Sequence, residues 1–204
     1  ENKYQSKMIK LGVFYCPGGE LKNNIESIKS YFSYRSQKNK YLNHLAHMSI
    51  YVFDIHPTKL TEILQEFENL QKKLLSQRSQ ITNWRVFEND ILTSLNTLCL
   101  EIELTNDLNQ LQENVVKTLS KFHLNEIKNS FKGDFKLSYE KYGYPFVGKH
   151  WVPHFTIGSL EIDIKKISKY SEGLFKFSKE FEINNLCLFE IKEDSHFLTK
   201  KIEF

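Results

Sequence analysis

His47-Met48-Ser49-Ile50 and His154-Phe155-Thr156-Ile157 repeat one order of residue types, histidine, apolar, hydroxyl, apolar, once in each half of the chain. In an extended strand successive side chains alternate between faces, so each copy points an imidazole and a hydroxyl one way and two apolar side chains the other. Such a polar pair on an apolar back is a half-site that can be mounted on a buried sheet. The chemistry it suits is phosphodiester cleavage. An imidazole with a reference pKa of about 6.5 serves as base at neutral pH, and a second one held protonated beside an anion serves as acid. One removes a proton from the attacking hydroxyl or water and the other protonates the departing oxygen, while Ser49 and Thr156 hydrogen-bond the non-bridging oxygens. The scheme calls for no metal and no cofactor.

The elements that must position these groups follow from periodicity. Residues 8–16 read as a strand that Pro17-Gly18-Gly19 ends, and Leu21, Ile25, Ile28 and Phe32 then mark one face of a helix. Residues 35–43 read as a basic surface loop leading into the first motif strand. Pro57-Thr58 opens the next helix, with Thr58 as N-cap and Leu60, Ile63, Leu64, Phe67 and Leu74 as the buried stripe. Strands are predicted near 82–88 and 97–104, then a helix capped at Thr105-Asn106-Asp107 whose Leu108, Leu111, Val115, Leu119 and Phe122 hold a single face. Residues 129–153, with Gly133, Gly143, Pro145 and Gly148 and no sustained periodicity, are predicted to be a long loop. After the second motif come a helix over 164–175, a strand over 181–191 and, across the turn Lys192-Glu193-Asp194-Ser195, a return strand ending at Phe204. The halves share an order of elements. The predicted fold is α+β, with residues 1–204 as a single bilobal, pseudo-two-fold domain in which two antiparallel sheets face a central cleft and helices cover the outside.

The 204 residues are 40% apolar, enough for one sizeable core. Against 25 Asp+Glu stand 28 Lys+Arg, and a net charge of +3 demands no nucleic-acid groove although it leaves room for a local basic patch. Cys16, Cys99 and Cys187 are odd in number and set in apolar runs, so they read as buried thiols of a reducing compartment rather than zinc ligands or a disulfide framework. The apolar stretches are short for a membrane span, and the start at Glu1 lacks the features of a secretory leader. A cytoplasmic monomer without membrane association is expected.

The segment Trp151-Val152-Pro153-His154-Phe155-Thr156-Ile157-Gly158, the first motif with its following helix, and the terminal hairpin together resemble the two-histidine (2H) phosphoesterase superfamily. That superfamily is defined by paired H-x-[S/T]-x motifs, and the likeness is to its RNA 2',3'-cyclic phosphodiesterase, or 2'-5' RNA ligase-like, branch. The resemblance spans essentially the whole chain. It implies a bilobal α+β fold and metal-independent action on RNA or nucleotides that carry a cyclic or 2'-linked phosphate. It also implies catalysis by His47 and His154 and phosphate binding by Ser49 and Thr156. Two positions depart from the pattern: Ser49 stands for the commoner threonine, and Ser159 follows Gly158 where ligase-like members often place an arginine soon after the second motif.

Aromatic residues crowd the approach to the second motif. Trp151, Tyr144 and Phe146 either stack on a nucleobase or pin this segment to the body, with Trp151 the strongest candidate for a substrate contact. His44, three residues before His47, falls in a loop with no third ligand placed by the sequence, so no metal site is expected. His56 belongs at a helix entry, and His123 and His196 read as surface residues. A second class of function uses the same fold: a module that grips RNA ends or nucleotides without turnover.

Overall fold

Apolar backs on the two motif strands call for a sheet with one face buried, and the computed structural model, which describes residues 7–90, 92–124, 131–171 and 179–204, has one. Strand β1 (Ile9–Tyr15) and helix α1 (Gly19–Ser33) precede the short β2 (Asn39–Lys40), then β3 (Met48–Ile55) with the first motif and α2 (Leu60–Leu70). There follow β4 (Gln77–Phe87), β5 (Asn96–Ile102), α3 (Asn106–Leu119) and α4 (Gly133–Tyr142). The second motif opens β6 (His154–Leu160), and α5 (Ile164–Ser171), β7 (Glu180–Ile183), β8 (Asn185–Lys192) and β9 (Ser195–Glu203) complete the order.

In space the strands run β7-β4-β5-β6-β3-β1-β8-β9, with β2 against β6. Each pairing is antiparallel, and the curled sheet with its helices makes an α+β fold. The two motif strands are central neighbours that meet in register at Met48 and Phe155. Their seam divides the eight strands of that path into two sets of four, with β2 an added strand on the β6 side. The halves are interleaved, since α1 follows β1 yet packs on β6, and α3 follows β5 yet packs on β3. One apolar core therefore lies under both. Ile25 and Phe32 of α1, Leu108 and Val115 of α3, and Met48, Ile50, Phe155 and Ile157 of the motif strands are all fully buried in it. Each such side chain contributes about 1.5–3 kcal/mol, so the backs of the motifs anchor the seam.

Several expectations need correction. The strand expected over 181–191 is two strands, because β7 pairs with β4 while β8 pairs with β1, and the chain changes partners at Asn184. Residues 131–153 are not loop throughout. They include α4, whose Phe135 and Leu137 are exposed and whose only buried member is Tyr139, so no apolar stripe advertised it. Gly143, at φ 70°, ends that helix in the left-handed conformation that glycine adopts most readily. The short β2 forms inside the stretch read as surface loop. His56, not Thr58, caps the entry to α2, with its Nδ1 accepting the Thr58 N–H at 3.3 Å. Residues 129–130 of the expected loop and 172–175 of the expected last helix lie outside the described residues. No helix among the described residues is long and apolar enough to cross a membrane.

Candidate active site

The register at the seam decides which side chains meet. With Met48 opposite Phe155 in antiparallel order, Thr156 comes beside His47 and His154 beside Ser49. Directly opposed side chains have Cβ atoms about 4.5–5.5 Å apart. Met48 and Phe155 are fully buried on the core face, so His47, Ser49, His154 and Thr156 share the other face, where all four are partly exposed. Each histidine thus sits across from the hydroxyl of the other motif.

Both strands bulge directly after the hydroxyl residue. Val13 pairs with Tyr51 and Phe14 with Ser49, leaving Ile50 out of the ladder, while Leu98 pairs with Gly158 and Cys99 with Thr156, leaving out Ile157. A bulge adds one residue and reverses the alternation beyond it. Ile50 and Tyr51, adjacent in sequence, are accordingly both buried in the core, and the polar face ends with the motif. Two glycines admit close neighbours here. The Phe14 ring folds over Gly12, where a Cβ would lie 2.5 Å from it, and reaches His47 with ring centroids 4.3 Å apart. Leu42 sits on Gly158, where a Cβ would meet it at 2.6 Å.

The imidazoles are held alike. Nδ1 of His47 bonds the Leu45 carbonyl at 2.8 Å, and Nδ1 of His154 bonds the Val152 carbonyl at 2.6 Å. A carbonyl only accepts, so Nδ1 carries the hydrogen in each ring and donates it, and Nε2 is the nitrogen that can take up or deliver a proton. Their charges differ. Burial pushes His47 down to about 3 against the opposing Leu45 carbonyl, and His196, Lys29 and His44 press it further. His154 is also lowered by burial, but beside the Val152 carbonyl it has Glu101 and Asp90 to favour its proton, with Arg85 opposing them.

The walls explain that difference. Beside His47 the β8–β9 hairpin brings in His196, 5.3 Å from the His47 ring and 5.4 Å from Phe14, and His44 stands 4.7 Å from His196. Burial, then His44, lowers His196 to about 4. His196 is therefore not the surface residue expected; only the docking of β8 on β1 brings it here, and nothing local in the sequence announces that. His123 is likewise partly buried, its Nδ1–H donating to the Ser120 carbonyl at 2.5 Å. Beside His154 stand Phe87, with ring centroids 5.6 Å apart, and Glu101, its cross-strand neighbour, which pairs with Arg85 at 3.1 Å. The Cys99 thiol lies 4.0 Å from the Thr156 hydroxyl, and burial pushes it up to about 12, so it stays protonated.

Trp151 is 4% exposed, and its indole N–H donates to the Ser49 carbonyl at 3.2 Å. A buried ring offers no face to a base, so Trp151 is a brace under the first motif and not a stacking platform. Tyr144 packs edge-on against Tyr51. Ser159 is fully buried, with its Oγ 2.5 Å from Thr97 Oγ1, so this residue is part of the packing. Among the described residues no three His, Cys, Asp or Glu side chains gather as a metal site.

A family model described as the 2'-5' RNA ligase superfamily matches residues 17–195. No curated protein matches the chain. Among solved structures, TT0787 of Thermus thermophilus superposes with a TM-score of 0.63 at 14% identity, covering 95% of this chain and 97% of that one. LigT of E. coli complexed with NADP+ gives 0.59 at 8% identity over 98% and 99% of the two chains. Usb1 of Kluyveromyces marxianus gives 0.50 at 10% identity over 96% and 98%. At these identities the likeness is one of fold.

Proposed function

We propose that this chain, which belongs to the 2'-5' RNA ligase superfamily, is a phosphodiesterase that opens 2',3'-cyclic phosphates or cleaves 2'-linked or cyclic nucleotide diesters by two-histidine acid–base catalysis. Its partner is then an RNA or nucleotide bearing such a phosphate. The observation that carries this reading is the single register pair, Met48 with Phe155, which gathers two imidazoles and two hydroxyls on one face.

Electrostatics divide the labour. His47, pressed by burial and by three groups that are positive when protonated, is suited to remain neutral and act as base. His154, with Glu101 and Asp90 beside it, is the easier of the two to protonate once an anionic phosphate arrives, and acts as acid. The attacking water gives its proton to Nε2 of His47 as its oxygen bonds to phosphorus. The P–O bond to the leaving ribose oxygen breaks as Nε2–H of His154 protonates that oxygen. Ser49 and Thr156 donate to the non-bridging oxygens, where charge builds.

The test is a substrate panel at fixed enzyme: nucleoside 2',3'-cyclic phosphates, 2'-5' and 3'-5' oligonucleotides, and cyclic dinucleotides, each with EDTA. Turnover of a cyclic or 2'-linked member in EDTA, with the remaining phosphate located on one ribose oxygen, is the expected result. Activity that EDTA abolishes and zinc or manganese restores overturns the scheme, as does a panel with no turnover.

A further inference from the structure

The bulge residues Ile50 and Ile157 lie outside the pairing of their strands, and their carbonyls need donors from elsewhere. Both find one in a polar side chain buried on a helix. Gln112 of α3, fully buried, donates from Nε2 to the Ile50 carbonyl at 3.1 Å and to the Phe146 carbonyl at 2.9 Å, and its Oε1 accepts the Gly148 N–H at 3.0 Å. Lys29 of α1, 4% exposed, donates from Nζ to the Ile157 carbonyl at 3.1 Å and to the Tyr41 carbonyl at 2.9 Å. The second bond of each crosses over. Phe146 and Gly148 belong to the chain that delivers the second motif, and Tyr41 to the chain that delivers the first.

We infer that Lys29 and Gln112 are equivalent positioning residues, each tying the bulge behind one motif to the approach of the other, and that Lys29 also supplies the phosphate site with a buried positive charge. The inference rests on the phosphodiesterase reading of the site. Ile157 directly follows Thr156, which brings the ammonium's bond next to a phosphate-facing hydroxyl. Among the described residues its hydrogen-bond partners are two neutral carbonyls and no carboxylate. Its charge is felt by His44, His47 and His196. The titratable and charged neighbours are Glu26 on α1, Cys99 on β5, those three histidines, and Lys40, Asp194 and Tyr41, whose phenol burial raises, in the adjoining cavity. Burial lowers Lys29 to about 8. An uncharged latch of the Gln112 type would avoid this desolvation, so the charge calls for a role beyond tying strands.

Inorganic sulfate, whose charge is constant over the range used, is the probe, titrated calorimetrically between about pH 7 and 9. Over that range the lowered histidines stay neutral and Cys99 stays protonated, and Lys29 is told apart from Cys187, which its hydrogen bond with Cys16 lowers, by the loss of the step in Lys29→Met. Wild type should lose about tenfold in sulfate affinity as pH rises through about 8, the effect of one unit charge across several ångströms of protein. Lys29→Met should bind weakly at both ends of the range, and Lys29→Arg, which stays charged, should bind tightly at both. The step should survive in Gln112→Met, while turnover at saturating substrate falls about tenfold in Gln112→Met and in Lys29→Met as the half-sites lose their spacing. Wild-type affinity in Lys29→Met, or a persisting step there, overturns the charge role; unchanged turnover in Gln112→Met overturns the latch. A chain that shows the sulfate step but cleaves no diester sinks the phosphodiesterase reading while supporting the role of Lys29.

Discussion

The two half-sites are built alike and charged differently. Each has a histidine donating to the carbonyl two residues earlier, a hydroxyl residue, and a bulge whose carbonyl a buried helix side chain satisfies. Yet His47 looks out on His196 and His44 with the cationic Lys29 nearby, whereas His154 looks out on the Glu101–Arg85 pair. The four-residue motif therefore sets shape, which local geometry can repeat, and groups from other segments set charge. On the proposed reading, one half is prepared to receive a proton and the other to give one.

The largest effect should come from removing the features the halves share. His47→Ala and His154→Ala should each cut turnover by about 10²–10⁴-fold at unchanged fold, measured by steady-state kinetics with circular dichroism as control. If either variant turns over like wild type, the halves are not partners in one reaction. Ser49→Ala and Thr156→Ala should cost less, about ten- to a hundredfold, the worth of one hydrogen bond to a charged oxygen.

Smaller effects separate the halves. Glu101 favours the proton on His154, so Glu101→Gln should move the alkaline limb of the kcat/KM profile to lower pH and slow the reaction several-fold at neutral pH. His196 disfavours the proton on His47, so His196→Ala should move the acid limb upward, towards about 6.5, with only a few-fold loss at the optimum. Both histidines are lowered, so the wild-type optimum of kcat/KM should fall on the acid side of about 6.5. An optimum above neutrality, or limbs that move together in both variants, would contradict the division of roles.

Much of this molecule was legible in its sequence. Alternation exposed the motif strands, and helical stripes exposed α1, α2 and α3, because a face that must be buried leaves a periodic trace. The doublet Ile50-Tyr51, which breaks that alternation, is the trace of the first bulge. Lys29 and Gln112 also left a mark: each stands on the apolar stripe of its helix, four residues after Ile25 or Leu108 and three before Phe32 or Val115. A polar side chain at such a position must find a partner inside. The helix α4 left no such trace, since most of its surface faces water.

By itself, then, the sequence determined which side chains the motifs carry and the face on which they would be presented, since side-chain type and strand period are local properties. The tertiary structure decided the rest: that β3 and β6 pair at Met48 and Phe155, that β8 docks on β1 and carries His196 to His47, and that Trp151 lies under Ser49 instead of over a substrate. These are contacts between segments far apart in the chain. Their register is fixed by which buried faces fit together in one core, and no local pattern encodes that fit.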